Sequence, residues 1–452
     1  MARYPLWGTG HAGRSQHASR ERRVNLYAEK NADRAGYVFY GTPGLSIFSS
    51  LGADPIRGAH VMNDLLYVVH RDTLYEVNNT GAATSKGTLD TISGRVDITD
   101  NGAELVVSDG TDGYTLTTGT FAKIADGDFP GAGSVASLDG YTIVAQPNSG
   151  DWNISALDDA RNWDAADFAN AESFSDNIVR VVTERGQVLL FGSQSLEFWS
   201  NAGTTDFPFA RVQGAVVEFG LAAKWSVGRV GNALAFLAKN RTGEVEAIML
   251  DGYSPTQIAP PEVTQAWNSY SSVADATAFG YRSAGHTFYQ LNFPSAGKSW
   301  LFDVGTGLWS ELESSGGRHR AEIGLDFLDK IIVSDYENGE LYRVDPDVYT
   351  DAGETIAREI VGRYIFGDTP TVLRKLQVDI ETGQGDEAQA MLSVSKDGRS
   401  WGPELWRSLG SVGEYGRRVI WRALGRSYEW SFRLRVSEPI RVCISGAWVD
   451  GQ

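Results

Sequence analysis

The sequence predicts an all-β protein: a β-propeller of about seven blades, with six as the alternative count, followed by a C-terminal β-sandwich or jelly-roll-like module. Three observations lead there. A hairpin of one shape recurs along the chain, it recurs at a nearly constant interval, and the recurrence stops near residue 360, where a second run of alternating strands begins.

The hairpin is clearest in LLYVVHRDTLYEV (65–77) and IIVSDYENGELYRV (331–344): an apolar run, a polar turn, then a second run built on Leu-Tyr-x-Val. Between them lie ELVVSDGTDGYTL (104–116), YTIVAQPNSGDWNISAL (141–157), QVLLFGSQSLEFW (187–199), ALAFLAKNRTGEVEAIML (233–250) and HTFYQLNFPSAGKSWLFDV (286–304). Centred on Leu66, Leu105, Ile143, Leu189, Leu234, Phe288 and Ile331, they are spaced by 39, 38, 46, 45, 54 and 43 residues. Turn residues between β-branched and aromatic strands are what hairpins require. Such a period with several short strands per unit is a propeller signature, in which each blade buries its faces only against its neighbours. YGTPGLSIF (40–48) is placed to supply the strand that closes the ring onto the last blade. An array of β-sandwiches is the competing architecture. The one stretch with an amphipathic helical character is 156–172.

The pattern breaks at DAGETIARE (351–359). Beyond it VLRKLQVDIETG, AQAMLSVSKDGRSW, RRVIWRALG, SFRLRVS and IRVCISGAWV read as strands of a separate module. The expected organisation is a basic N-terminal arm (1–24), a propeller (25–360) and a β-sandwich (361–452). In the last module Arg417, Arg418, Arg422, Arg426, Arg433 and Arg435 alternate with Trp421, Trp430 and Phe432. The plain reading is arginines snorkelling on a solvated sheet face. The sharper one makes Arg417, Arg418, Arg422 and Arg426 a contact surface for an acidic protein or for DNA.

Net charge is −17, unevenly spread. Residues 1–24 hold five arginines and one glutamate, residues 363–452 hold 13 basic and 11 acidic residues, and 25–362 hold 22 basic and 45 acidic, a net of −23. A body this acidic repels nucleic acid, so nonspecific gripping of DNA is not expected. The single cysteine, Cys443, excludes an internal disulfide, and the N-terminus has no apolar signal region. No run of 18 apolar residues suggests a membrane span, so the expected site of synthesis and assembly is a cytoplasm.

Motifs of catalysis do not assemble. GTGHAG (8–13) matches a dinucleotide fingerprint but has neither the preceding strand nor the following helix. Six scattered histidines and one cysteine form no metal-ligand spacing, and no nucleophile elbow or phosphate loop is present. Acidic pairs such as Asp158/Asp159 are what so acidic a chain contains by chance. SKDGRSW (395–401) is similar to an Asp-box hairpin but one residue short, and that motif is structural in any case. LFDVGTGLWSEL (301–312) is similar to the closing strand of a kelch blade, whose tryptophan packs between blades. No catalytic residue, cofactor site or metal site is expected. A glycan-binding propeller used in host recognition is the alternative function, raised by the 13 tryptophans.

The most distinctive stretch reads as a long acidic, aromatic loop over 154–182 followed by short strands over 196–226, and loops longer than packing needs tend to carry binding roles. W-D-A-x-D-F-A-x-A-E (163–172), E-x-W-x-N-x-G (197–203) and D-F-P-F-x-R-x-x-G-A (206–215), with N-L-Y-A-E (25–29) and Y-G-T-P-G-L (40–45), resemble the packaged-DNA-stabilisation, or tail hub and nozzle, family of short-tailed phages, over about residues 24–350. The resemblance implies a structural protein without catalysis, located in the virion tail. It implies a homohexameric ring beneath the portal and its adaptor that extends the DNA channel, helps retain the genome, and docks a tail fibre, spike or needle. Genomic DNA would pass without sequence-specific binding. A ring needs a heterologous interface that closes. Its candidate residues are Trp163, Asp164, Asp167, Phe168, Phe207, Phe209 and Arg211, with the alternative that the aromatics only staple a loop to its own blade.

Overall fold

The computed structural model describes residues 2–4, 8, 10–14, 19–31, 36–171, 176–205, 207–240, 242–363 and 365–451. Among them, strands dominate and the helices are Pro261–Asn268 and a short 3-10 turn, Pro294–Ala296.

Seven four-stranded antiparallel units follow one another along the chain, blade 5 with its first strand split in two. Blade 1 spans 56–88, blade 2 97–123, blade 3 134–170, blade 4 178–217, blade 5 220–257 and blade 6 277–314. Blade 7 takes three strands from 321–345 and its fourth from Gly44–Ser50, whose Leu45 pairs with Val344 and Ser49 with Leu341. The N-terminal stretch therefore closes the ring, as its turn and apolar run suggest. Closure is also visible in the packing, because each pair of adjacent blades shares its own apolar cluster. Leu66, Val68, Phe327 and Ile332 join blades 7 and 1; Tyr67, Val69, Leu105 and Val107 join blades 1 and 2. The same holds around the remaining junctions. Successive side chains of a strand point to opposite faces, so Leu66 and Val68 serve one neighbour and Tyr67 and Val69 the other. All seven sequence centres fall on second strands, which are largely buried on both faces and hence mostly apolar.

The inner strands approach closely around the axis. A Cβ on Gly280 would lie 1.8 Å from the Arg229 carbonyl oxygen, and one on Gly58 2.5 Å from Val96 Cγ2, so these positions admit no side chain without backbone movement.

The C-terminal sandwich is built on Ile365–Ile380, Gln389–Ser395, Leu405–Ser408, Val419–Val436 and Cys443–Gly451. Residues 419–430 pair with Ile365–Ile380, while residues 431–436 run between Gln389–Ser395 and Arg358–Val361. Two expectations change here. Strands Leu26–Asn31 and Gly36–Gly41 lie in this sheet and not in the propeller: Phe39 pairs with Ile444, and Leu26, Ala28 and Phe39 join the core of Trp421, Trp430 and Phe432. Arg22–Val24, the described end of the basic arm, is a strand between blade 6 and the sandwich, pairing Val24 with Glu311 on one side and Arg22 with Val361 on the other. Other residues of the arm (1, 5–7, 9 and 15–18) lie outside the described residues.

The helical character of 156–172 is also corrected. Asp159–Asn170 is blade 3's outer strand, with Ala156 opposite Asp159 and Ser155 opposite Trp163. The register shift turns both Ala160 and Trp163 inward at a spacing of three, which imitates a helix face. Much of the long loop expected at 154–182 is consequently strand. Glu172, the last residue of its motif, lies outside the described residues.

Candidate functional site: the blade rim and the sandwich face

The two distinctive sequence blocks become the outer strands of neighbouring blades, Asp159–Asn170 of blade 3 and Phe209–Val217 of blade 4, each paired on one side only within its sheet. Such edges carry unpaired N–H and C=O groups that a partner chain is able to use.

The candidate residues divide by burial. Trp163 is buried; its ring meets Phe129 of the segment joining blades 2 and 3 edge-on at 5.1 Å, its indole donates to the Ala160 carbonyl at 2.9 Å, and its amide donates to Asp126 Oδ2 at 3.1 Å. Phe209 is buried too, and with Phe207 it clasps Trp152 of blade 3 at 5.8 and 5.2 Å. These aromatics pin one blade to another. Asp164 is exposed, Phe168 is 51 % exposed, and Asp167 and Arg211 are half-buried. Burial, followed by the neighbouring Asp164 charge, holds the Asp167 carboxyl above the usual range. Val216, 37 % exposed, adds an apolar position to the blade 4 edge. Trp163, Phe207 and Phe209 turn inward and fix the blades, while Asp164, Phe168 and Val216 face solvent.

On the sandwich, Trp421, Trp430 and Phe432 are fully buried while Arg417, Arg418, Arg422 and Arg426 are exposed. Arg417 pairs with Glu414 at 3.2 Å, and Arg422 and Arg426 stand opposite Lys375 and Val372 on the partner strand. Trp406, Val412, Tyr415 and Tyr428 are exposed large apolar residues of the same module. The near Asp-box is a turn: Asp397 accepts the amides of Arg399 and Ser400 at 2.8 and 2.9 Å, which with the Ser400 hydroxyl depresses its pKa. Trp309 of the kelch-like strand packs on Trp267 at 5.0 Å and donates to the Ile258 carbonyl, joining blade 6 to blade 5.

Sequence reasoning missed the propeller's axis. At the start of the inner strands Trp225 from blade 5 lies 5.0 Å from the Arg95 guanidinium, which precedes blade 2, and 5.1 Å from that of Arg180 in blade 4. Blades 2 and 5 stand on opposite sides of a seven-blade ring, so these side chains bridge the mouth. The cavity behind them is about 540 Å³. Nothing local in the sequence marks Arg95, Arg180 and Trp225 as neighbours, because only ring closure brings them together.

Among the described residues no group of three or more His, Cys, Asp or Glu side chains is placed to hold a metal, and no helix is long and apolar enough to cross a membrane. A closed seven-blade ring with bridged axis, sharing a sheet with a β-sandwich and presenting open strand edges at its rim, is a scaffold built for assembly. The particular family follows from comparison. Residues 15–349 match the model described as bacteriophage P22 Gp10, β-propeller, and residues 358–452 the one described as bacteriophage P22 Gp10, β-sandwich. The chain belongs to this family, a structural tail hub family of short-tailed phages. The tail hub protein gp10 of Salmonella phage P22 is 22 % identical over 338 residues, covering 70 % of this chain and 69 % of the relative. Among solved structures, the extracellular domain of the putative hybrid two component system BT4673 from B. thetaiotaomicron aligns with a TM-score of 0.45 at 8 % identity, covering 66 % of this chain and 39 % of that one. The Neurospora crassa Pan2 WD40 domain gives 0.42 at 8 % identity, covering 68 % and 96 %. Both are too distant to bear on function.

Proposed function

We propose that the protein is a tail nozzle of the virion: a homohexameric ring, assembled in the host cytoplasm, that continues the portal channel, retains the packaged genome and conducts it during ejection. Its partners are copies of itself, a portal-adaptor protein at one end, a tail fibre, spike or needle, and DNA passing without sequence-specific contacts. The observation that carries this reading is the bridged axis. A 540 Å³ cavity roofed by Trp225, Arg95 and Arg180 passes no duplex, so a DNA path belongs between subunits and requires a ring. The net −23 of residues 25–362 suits such a path, since acidic walls keep DNA from sticking.

The outward side chains of the blade 3 and 4 edges, Asp164, Asp167, Phe168 and Arg211, are the proposed subunit contact, with Trp163, Phe207 and Phe209 setting the shape beneath them. Arg417, Arg418, Arg422 and Arg426 are the proposed contact of the sandwich with an acidic partner. Glycan binding gains little support from the tryptophans, because Trp152, Trp267, Trp309, Trp421 and Trp430 are core residues and not platforms, although Trp406 is exposed. Electron microscopy and light scattering of the purified chain with an adaptor ring test the proposal. The expected result is annuli of six 49.2 kDa subunits, lost in Arg211→Glu with the β-rich circular dichroism unchanged. Single particles that ignore the adaptor would overturn it, and intact rings in Arg211→Glu would move the contact elsewhere.

A further inference from the structure

The axial mouth holds more positive charge than its neighbours neutralise, in a chain that is otherwise strongly acidic. Arg95 and Arg180 flank Trp225, and Lys224 Nζ lies 4.8 Å from the same ring. A fourth cation, Arg318, lies in the short strand Gly317–Arg318 that pairs with the last strand of blade 6 just before blade 7. The carboxylates nearby are Asp97 and Glu322, and both are engaged with other donors. Asp97 Oδ2 accepts the Ser134 hydroxyl at 2.6 Å and the Val135 amide at 3.3 Å, leaving Oδ1 at a long 3.5 Å from Arg180. Glu322 is 2.5 Å from Arg318 and 3.5 Å from Arg95. Among the described residues, Lys224 donates to a neutral acceptor, the Gly133 carbonyl, at 2.5 Å.

Glu322 is thus shared between Arg318 and, weakly, Arg95, and Asp97 serves Arg180 weakly, so four cations meet two carboxylates. The Nε atoms of Arg95 and Arg180 are buried without a hydrogen-bond partner. Burial, together with repulsion from Arg180, pushes the Arg95 pKa down to about 10, and the same two causes lower Lys224. Unmatched buried cations are costly unless a counter-charge reaches them. Arg95, Arg180 and Trp225 line a cavity with ample room for a small ion, and Lys224 stands beside Trp225.

We propose that the start of the propeller axis is a binding site for a small tetrahedral oxyanion of the phosphate class, held by Arg95, Arg180 and Lys224 over Trp225. Guanidinium forks and an ammonium group are the donor set that matches such an ion. The ion ties together inner strands of blades 2, 4 and 5, which share no direct backbone pairing, and so acts as an axial pin of the ring. The proposal does not depend on hexamer formation or on DNA.

The test uses the full chain and inorganic phosphate as probe. The phosphorus NMR line of phosphate is followed on titration with protein, and thermal unfolding is recorded in phosphate against chloride at equal ionic strength. The expected result is saturable line broadening and a saturable rise in Tm, both weakened at least ten-fold in apparent affinity by Arg180→Gln/Lys224→Gln. Arg282→Gln, at the other end of the same channel, should behave as wild type. If the double variant fails to fold, the single Lys224→Gln carries the test through the NMR line. No saturable broadening in the wild type, broadening that persists in the folded variants, or equal loss in Arg282→Gln would overturn the site.

Discussion

Arg22 is the point at which propeller, N-terminal strand and sandwich are electrostatically joined, and replacing it by methionine tests that coupling. Its guanidinium grips Glu311 through two bonds at 2.8 and 2.7 Å, Glu313 at 2.7 Å and Glu359 at 3.3 Å; the first two carboxylates belong to blade 6 and the third to the sandwich edge. Burial by itself would lower the Arg22 pKa, yet its bonds to Glu311 and the three carboxylate charges raise it above the ordinary guanidinium value. The arginine side chain is 33 % exposed and the carboxylates 14, 22 and 16 %. An exposed pair contributes under ~1 kcal/mol and a broken buried pair costs about 3–5 kcal/mol. Discounted for the exposed third, Arg22→Met should cost about 2–3 kcal/mol at neutral pH. Its pH dependence has the sign of salt-bridge loss, with the gap to wild type widening as the carboxylates ionise. In the variant three carboxylates face one another with only Lys298, 3.5 Å from Glu313, nearby. Repulsion among the ionised carboxylates, no longer offset by the guanidinium, makes the variant lose stability as pH climbs through the carboxylate range. Urea midpoints of both proteins at pH 4 and pH 7.5 read this directly. The gap should be small at pH 4 and full at pH 7.5. A gap equal at both values, or below ~0.5 kcal/mol at pH 7.5, would refute the clamp.

Three further outcomes are expected. Gly280→Ala forces a Cβ to 1.8 Å from the Arg229 carbonyl and should destabilise by about 3 kcal/mol or more, whereas Gly127→Ala, with nothing within 4 Å, should be neutral; thermal melting distinguishes them. Excising residues 363–452 bares Leu26, Ala28 and Phe39, so the truncated chain should aggregate or bind a hydrophobic dye, and a well-behaved propeller would show that the N-terminal strands refold without the sandwich. Buried His11, 5.5 Å from Trp300 and beside Arg23, has a pKa lowered from 6.5 to about 3, chiefly by burial. The unfolded chain then binds the extra proton as pH falls from 6.5 towards 3, costing about 2 kcal/mol at pH 5. His11→Gln should flatten the Tm profile over that interval, and parallel profiles would deny His11 the role.

How much was legible in the sequence follows from burial. Second strands lie between two neighbouring blades and are mostly apolar on both faces, so Leu66, Leu105, Ile143, Leu189, Leu234, Phe288 and Ile331 announced about seven blades, with six as the alternative, without any structure. Gly44–Ser50 was recognisable as the closing strand because its turn and apolar run stand apart from any blade. Outer strands are exposed and bulged, and their weak alternation made Asp159–Asn170 look like loop or helix. The rim blocks were found as distinctive, but not which side chains face outward, since Trp163 and Asp164 are adjacent in sequence and opposite in burial.

The amino-acid order alone determined the blade repeat, the strand that closes it, the second module and the acidic balance of the body, because each is written in local periodicity or composition. Only the tertiary structure decided that strands Leu26–Asn31 and Gly36–Gly41 complete the sandwich, that Arg22 joins both modules, and that Arg95, Arg180, Lys224 and Trp225 meet on the axis. Those groups are separated by tens to hundreds of residues. No local pattern encodes their encounter; it arises when a chain of near-identical hairpins closes into a ring and brings the starts of its inner strands to one point.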